Sequence, residues 1–192
     1  MTDDIPKPKT VRYSRTTITE LMIPSYANFG GKIHGGILLS LMDKVAYACA
    51  SRHSGSYCVT VSVDGVDFLQ PVDVGDLVSL KASVNYVGRT SLVVGIQVTA
   101  ENVQRAAVKH TNTSYFTMVA RDADGQPVVV PPLVLETDDD IRRFVTASER
   151  RKLHFRARER MEAYRNEFRF DERTEAALDG ERCIIANGGP TV

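Results

Sequence analysis

The segment from Ile23 to His53 constrains the fold of this chain more than any other part of its sequence. It opens with a loop rich in proline and glycine, reaches His34-Gly35-Gly36, and continues into a long apolar run. From Ile37 to Ala50 the run contains no proline or glycine, and most of its positions are aliphatic, alanine, methionine or cysteine. An exposed helix would alternate polar and apolar faces, so this pattern predicts a helix that is buried on nearly all sides.

Two ionisable residues, Asp43 and Lys44, interrupt the apolar run. Lys44 can extend its methylenes along an apolar surface and keep its charge in water. Asp43 is too short for that. Its carboxylate needs either a bonding partner, such as Arg52 or a backbone N–H, or a chemical role.

Composition excludes several classes of protein. The chain has 192 residues, with 24 basic and 24 acidic side chains, so no net charge attracts nucleic acid or a membrane. The longest apolar run, Ile37 to Met42, is far too short to span a bilayer, and the polar first ten residues do not resemble a secretory signal. Cys49, Cys58 and Cys183 have no metal-ligand spacing. We therefore expect a cytoplasmic protein without a bound metal and without a membrane partner.

Segments of strand character flank the predicted helix, with a bulge expected at Gly65. They are Thr16 to Met22, Tyr57 to Gln70, Leu77 to Val87, Thr90 to Ala100 and Thr113 to Arg121. A strand, a buried helix and then strands joined by short turns predict an α+β fold, in which a mostly antiparallel sheet packs one face on the helix. One sheet covers only one side of a helix, so we expect at least a homodimer.

We divide the chain into a flexible lead (residues 1–10), a folded domain (11–135), a C-terminal helical extension (136–170) and a tail (171–192). Asp138-Asp139-Asp140 suits the start of a helix, and the following residues are densely charged with apolar positions at helical spacing. Two interpretations remain for this extension. It is either a mostly solvated helix packed by one narrow apolar stripe, or a basic face for phosphate or RNA.

The glycines at the predicted helix start have two interpretations. A helix start leaves backbone N–H groups unpaired and carries partial positive charge, and without a Cβ another group can approach these donors closely. Gly35 and Gly36 could thus form an oxyanion hole. Alternatively, they only let the helix pack tightly under the sheet. Asn28, in the loop before them, is either a turn former or a side chain that holds a water or a carbonyl oxygen.

Asp43 lies eight positions after Gly35, which places the two residues about 12 Å apart along a helix axis. They cannot act on the same atom within one chain. Either they are unrelated, or a second copy brings its Asp43 beside this Gly35, as a symmetric dimer with antiparallel central helices would do twice. No nucleophile elbow, zinc-protease motif or phosphate loop is present in the sequence.

Several linked motifs occur in a distinctive order. They are A-N-x-x-G beginning at Ala27, then H-G-G, L-M-D and S-R-H, then V-T-V-S-V-D-x-V-x-F-x-x-P-V-x-x-G-D from Val59, and later G-R-T-S from Gly88. From about Thr16 to Pro132 the chain resembles the hotdog-fold acyl-CoA thioesterases, and within them the group of bacterial YciA-type enzymes and brain-type acyl-CoA hydrolases. The resemblance implies a long central helix wrapped by an antiparallel sheet. It also implies a homodimer with one continuous sheet, and often three such dimers in a hexamer.

The resemblance also implies a site at the dimer interface. Asn28 from one subunit and Asp43 from the other match its catalytic positions, and Gly35 or Gly36 would supply the oxyanion N–H. The coenzyme A part of the substrate would contact a further set of residues, and no separate cofactor is implied. That set is Arg89, Thr90, Ser91, His34 and Arg52.

Three questions stay open at this stage. Asp43 would act either as general base on a water or as a nucleophile that forms an anhydride. A hotdog hydratase or dehydratase would use His34 or His53 instead. A non-catalytic acyl-CoA-sensing module, with the basic C-terminal helix on RNA or DNA, is the third alternative, although nucleic acid fits the sequence less well than a small thioester.

Overall fold

A computed structural model describes residues 6–183 of the chain. The chain divides into two compact units, with the boundary between Ser148 and Glu149. The elements in chain order are β1 (Lys9–Thr10), α1 (Val11–Ser14), β2 (Thr16–Leu21), a 3-10 turn (Pro24–Tyr26), α2 (Gly35–Ser54), β3 (Tyr57–Asp64), β4 (Leu77–Val87), β5 (Ser91–Asn102), β6 (Ala107–Arg121), β7 (Leu133–Val134), α3 (Asp138–Glu167) and α4 (Glu172–Leu178). None of the helices in residues 6–183 has the length and apolar character needed to cross a membrane.

The centre of the first unit is a five-stranded antiparallel sheet in the order β2-β4-β5-β6-β3, with α2 against one face. The predicted α+β fold with a long helix on an antiparallel sheet is confirmed. The bulge expected at Gly65 is misplaced, since β3 ends at Asp64 and its pairing with β6 shifts between Thr60 and Ser62. Val61 is therefore the extra residue, and it changes which β3 side chains face the helix.

Helix α2 begins at Gly35, where the side chain of His34 caps it, and stops at Gly55, whose φ of 76° is the left-handed conformation that glycine adopts easily. One face of the helix is buried in the core, through residues such as Met42, Val45 and Cys49. The opposite face is exposed. The prediction of a helix buried on nearly all sides is wrong for one protomer, because the single sheet covers only one side.

The exposed side of α2 continues onto the edge strand β3, and we call this surface the open face. Its large apolar side chains are Leu39, Tyr47, Tyr57, Val61 and Val63, each between 37% and 58% exposed. The Tyr47 and Tyr57 rings lie 5.9 Å apart and join the helix to the strand. A long edge strand with exposed apolar side chains and unpaired backbone groups is the kind of surface that another strand can cover.

Both ends of the chain differ from the predicted lead and tail. Lys9 and Thr10, which we placed in a flexible lead, pair in parallel with Leu133 and Val134. The ammonium of Lys9 also donates to the carbonyl of His53 at 2.6 Å. In the predicted tail, Glu172–Leu178 is helical. The rest of the lead (residues 1–5) and of the tail (184–192) lies outside the described residues.

Helix α3 starts as its acidic sequence predicts. The backbone N–H of Asp140 donates to the hydroxyl of Thr137 at 3.1 Å, while a carboxylate oxygen of Asp140 accepts from the N–H of Thr137 at 3.2 Å. This reciprocal pair is a capping box with aspartate in the usual place of glutamate. In the second unit, the apolar residues of the helix, such as Leu153 and Met161, remain about half exposed.

His53 provides a pH-dependent contribution to stability. Its side chain is fully buried, and Nε2 lies 2.9 Å from the carbonyl oxygen of Pro131. Burial lowers the pKa of His53 below its ordinary value of 6.5. Below pH 6.5 the unfolded chain therefore takes up a proton that the folded chain does not, and stability falls by up to about 1.4 kcal/mol per pH unit.

We expect the Tm to decrease as the pH falls from about 7.5 to about 5.5. In His53→Gln, whose amide can still donate to the Pro131 carbonyl, the decrease should be shallower because no imidazole titrates. Differential scanning calorimetry of both proteins across this range measures the two slopes. Equal slopes would contradict the assignment to His53.

Candidate active site

The start of α2 presents one backbone donor that the protein leaves unused. The Nδ1 atom of His34 accepts from the N–H of Gly36 at 2.9 Å, and the carbonyl of His34 accepts from Ile37 at 2.9 Å. The N–H of Gly35 has no acceptor in the described part of the chain. A Cβ at Gly35 would lie 3.2 Å from the Phe68 ring, so glycine also allows this ring to close over the helix start. Both interpretations of the glycines, close packing and an open donor, therefore apply to Gly35.

Asn28 organises the loop that leads to this donor. Its Oδ1 accepts from the N–H of Gly30 at 2.9 Å and from the N–H of Lys32 at 3.2 Å. Its backbone N–H donates to the carbonyl of Lys32 at 2.7 Å. Two donors at one atom identify that atom as the amide oxygen. The Nδ2 group has no acceptor among the described residues, so Asn28 is a turn former that can still donate to a ligand.

Asp43 lies on the open face of α2 and is exposed in the protomer. The hydroxyl of Thr60 on β3 donates to its Oδ1 at 2.6 Å. Thr60 also lies 3.2 Å from the sulfur of Met118, but a carboxylate is the stronger acceptor for its single proton. The sequence suggested Arg52 or a backbone N–H as partner of the Asp43 carboxylate, and neither of them bonds to it in the described residues. Oδ2 bonds to no group in residues 6–183 and remains available.

Thr60 is the site residue that the sequence did not reveal. Thr60 lies two positions after the buried Cys58, so both side chains are on the side of β3 that faces α2, and the bulge at Val61 follows it. The contact between Thr60 and Asp43 depends on how α2 packs on β3, which strand periodicity does not encode.

Residues 88–90 form the turn between β4 and β5, and Ser91 is the first residue of β5. In the sheet register Leu92 pairs with Met118, and Met118 pairs with Thr60. The turn therefore lies at the same end of the sheet as Thr60, about 10 Å away across two strand spacings. Arg89 is exposed there, and Thr90 and Ser91 are partly buried. These three predicted coenzyme A contacts are thus grouped with Asp43 and not with Asn28.

The other two predicted contacts have structural roles in the protomer. His34 caps α2 through its Nδ1 atom. Arg52, nine positions beyond Asp43, donates to the carbonyl of Arg15 at 2.9 Å. The candidate site residues of one protomer therefore form two separate groups, which we name the helix-start half-site and the carboxylate half-site. The helix-start half-site comprises Asn28, His34, Gly35 and Gly36, and the carboxylate half-site comprises Asp43 and Thr60 with the segment from Arg89 to Ser91.

The remaining reactive side chains do not form a second catalytic group. Burial raises the pKa of Cys49 to about 12 and also raises the pKa of Cys58, so neither is a thiolate at neutral pH. In the residues that the structure describes, no cluster of three or more His, Cys, Asp and Glu side chains could hold a metal ion.

Sequence comparison identifies the family. Residues 30–107 match the profile of the thioesterase superfamily. YkhA of Bacillus subtilis, an uncharacterized acyl-CoA thioester hydrolase, is 35% identical over 147 residues, which cover 77% of this chain and 86% of YkhA. This chain belongs to the thioesterase superfamily. The predicted resemblance is therefore confirmed, and with it the prediction that the chain is an enzyme of the thioester hydrolase class.

Solved structures of other thioesterases have the same fold. An apo-hexameric acyl-CoA thioesterase superposes with a TM-score of 0.76 at 35% identity, covering 79% of this chain and 97% of its own. An acyl-CoA hydrolase from Staphylococcus aureus, solved with butyryl coenzyme A and coenzyme A, has a TM-score of 0.72 at 30% identity and covers 89% of this chain and 98% of its own. Three single variants of that hydrolase have also been solved. Alanine replaces an aspartate in the first, a threonine in the second and an asparagine in the third.

Proposed function

We propose that this thioesterase hydrolyses acyl-CoA to a free carboxylic acid and coenzyme A, at a site shared by two protomers. The observation that carries the proposal is the separation of the half-sites. Asp43, with its available Oδ2, and the unused N–H of Gly35 are about 12 Å apart along one helix. A second copy with its α2 antiparallel to the first would bring each Asp43 beside the other Gly35. The solved hydrolase with coenzyme A bound supports the choice of substrate.

The helix-start half-site would bind the thioester carbonyl. The Gly35 N–H points out of a helix start that carries partial positive charge, which stabilises a developing oxyanion. The Nδ2 group of Asn28 would be the second donor, held in place by the two backbone bonds to its Oδ1. The N–H of Gly36 already donates to His34, so its role would be to fix the cap and not to bind the oxyanion.

The carboxylate half-site would supply the base. Oδ2 of Asp43 accepts a proton from a water as the water oxygen attacks the carbonyl carbon, and the C–S bond then breaks to release the coenzyme A thiolate, which takes up the proton. A thiolate is a good leaving group, so no strong general acid is required. Direct attack by Oδ2, with an anhydride that water then hydrolyses, satisfies the same geometry. In both routes Thr60 holds the carboxylate through Oδ1.

The open face is the surface on which the two protomers would meet. It combines the uncovered side of α2 with the edge strand β3, and its apolar side chains are exposed in the protomer. Pairing of two β3 edges would continue the sheet across the dimer and bury these side chains. A trimer of such dimers is the assembly that we propose, on the basis of the similar hexameric thioesterase.

The segment from Arg89 to Ser91 would bind the phosphates of coenzyme A, because it is exposed, carries a guanidinium and lies at the Asp43 end of the sheet. We expect Arg89→Glu to raise the KM for acyl-CoA by roughly tenfold and to change kcat by less than about twofold, since it acts on a part of the substrate remote from the reacting bond. The matched control is Arg105→Glu in the exposed turn between β5 and β6. Steady-state kinetics in which Arg89→Glu behaves like this control would remove the turn from the site.

The histidine-based alternative has no support in the structure. His53 is fully buried and bonded to the Pro131 carbonyl, and the Nδ1 atom of His34 is used by the helix cap. Neither has a carboxylate partner among the described contacts, as a hydratase base would need.

Thiol release from a panel of saturated acyl-CoAs of increasing chain length tests the proposed reaction. We expect turnover of at least one chain length, with one thiol released for each acid formed. Tight binding of every acyl-CoA without thiol release would contradict hydrolysis and favour a sensing module.

A further inference from the structure

A cavity lies on the face of the sheet opposite α2, and the proposed reaction does not use it. Lys81, Ser83 and Gln97 line it, and in their strands they alternate with core residues such as Leu80 and Ile96, so they face away from the central helix. The first turns of α3, within the first compact unit, border the same cavity. Its volume is about 470 Å³, which is in the range of small-molecule sites and much larger than one phosphate ion requires.

The charged side chains that line this outer cavity are all cationic. They are Arg15, Lys81, Arg142 and Arg143, and no carboxylate is among the lining residues. Asp139 pairs with both Arg142 and Arg143, and Asp140 lies 3.8 Å from Arg15. Four cations therefore face two carboxylates. Lys81 is the cation with no acidic partner among the described residues, so the cavity retains a positive charge.

The base of the cavity contains two polar side chains that are almost fully buried. Ser83 and Asn85 are each 5% exposed. The Ser83 hydroxyl donates to the Oδ1 of Asn85 at 3.0 Å, and the Nδ2 group of Asn85 has no acceptor in residues 6–183. Because Nδ2 keeps some access to solvent, it can donate to a ligand that enters the cavity.

The backbone explains how this donor reaches the cavity. Asn85 is the extra residue of a bulge in β4, since the pairing with β5 shifts between Val84 and Tyr86. The side chain lies over Gly95, where a Cβ would be only 2.2 Å from Nδ2. Any other residue at Gly95 would displace the amide, so bulge and glycine together create the polar base of the cavity.

We propose that the outer cavity binds a small phosphorylated polyol, a molecule of sugar phosphate or nucleotide size. The cationic rim recognises the phosphate, and the Asn85 amide donor and the hydroxyl groups of the wall recognise the polyol oxygens. Apolar ligands fit poorly because almost all the lining side chains are polar. The site is separate from Asp43 and from the start of α2, because the sheet lies between the cavity and α2.

Isothermal titration of the full-length protein tests this proposal. The probes are ribose 5-phosphate, ATP in the presence of EDTA, and inorganic triphosphate, each titrated with and without saturating coenzyme A. We expect at least one probe to bind with one site per chain and with an affinity that coenzyme A changes by less than about twofold. A preference for ribose 5-phosphate or ATP over inorganic triphosphate identifies the polyol as part of the ligand.

Two variants and a control locate the binding. Lys81→Glu should weaken the probe at least tenfold, and Asn85→Ala should weaken the polyol phosphates more than inorganic triphosphate. Arg105→Glu, which makes the same charge change outside the cavity, should alter affinity by less than about twofold. Displacement of the probes by coenzyme A, or the same affinity in Lys81→Glu and the wild type, would overturn the proposal. So would a change of assembly mass in Lys81→Glu without a loss of affinity, because the cavity would then be an interface.

Discussion

Replacing Asp43 by asparagine is expected to lower kcat for acyl-CoA hydrolysis by about 10²–10⁴-fold, with a much smaller change in KM. The amide keeps the size of the side chain and can still accept from the Thr60 hydroxyl. It cannot take a proton from water or attack a thioester. Because Asp43 is exposed on the open face of the protomer, the substitution leaves no buried charge unpaired. Thiol release at saturating acyl-CoA measures the effect directly.

Two neighbouring variants make this result specific. Thr60→Val removes the hydrogen bond to Asp43 but keeps the carboxylate, so we expect an intermediate loss of about tenfold. Lys44→Ala changes the next residue of the same helix, which is also exposed, and should stay within about twofold of the wild type. Activity of Asp43→Asn within a few-fold of the wild type would contradict the assignment of the base.

Replacing Asn28 by aspartate is expected to lower kcat by about 10²–10³-fold while the loop stays folded. A carboxylate oxygen can still accept from the N–H groups of Gly30 and Lys32. The Nδ2 donor is lost, and a negative charge stands where the oxyanion would develop. The substitution therefore separates the two roles of Asn28, loop former and ligand donor.

Asn28→Ala is the comparison for this prediction. Alanine removes the donor and also both bonds that Oδ1 makes within the loop, so its Tm should decrease by more than that of Asn28→Asp. Thermal unfolding and thiol release on both variants give the two readouts. Full activity in Asn28→Asp would mean that the amide donor has no part in the reaction.

The residues of the candidate site could be proposed from the sequence, but their surroundings could not. Asn28, Gly35 and Asp43 belong to local motifs, and the helical rise alone separates Gly35 from Asp43. By contrast, one side of α2 is exposed in the protomer, although the continuous apolar run predicted burial on nearly all sides. The run is apolar because a partner is expected to cover it, and a sequence does not distinguish burial in a core from burial in an interface.

Features that depend on strand pairing could not be predicted. The bulge at Val61 shifts the pairing of β3 with β6, and the bulge at Asn85 places this side chain at the base of the outer cavity. Each bulge depends on which residues of the neighbouring strand lie opposite, and strand periodicity does not determine this register. The two-residue pairing of Lys9–Thr10 with Leu133–Val134 escaped prediction for the same reason.

Mixing two inactive variants tests the shared site most directly. In a dimer of one Asn28→Asp protomer and one Asp43→Asn protomer, one site combines both substitutions and the other has neither. Random reassembly of equal amounts should therefore restore about a quarter of wild-type activity, since about half the dimers are mixed and each has one intact site. If each site lay within a single protomer, every site would retain one substitution. Activity that stays at the level of the separate variants, in a mixture shown to contain mixed dimers, would contradict the account.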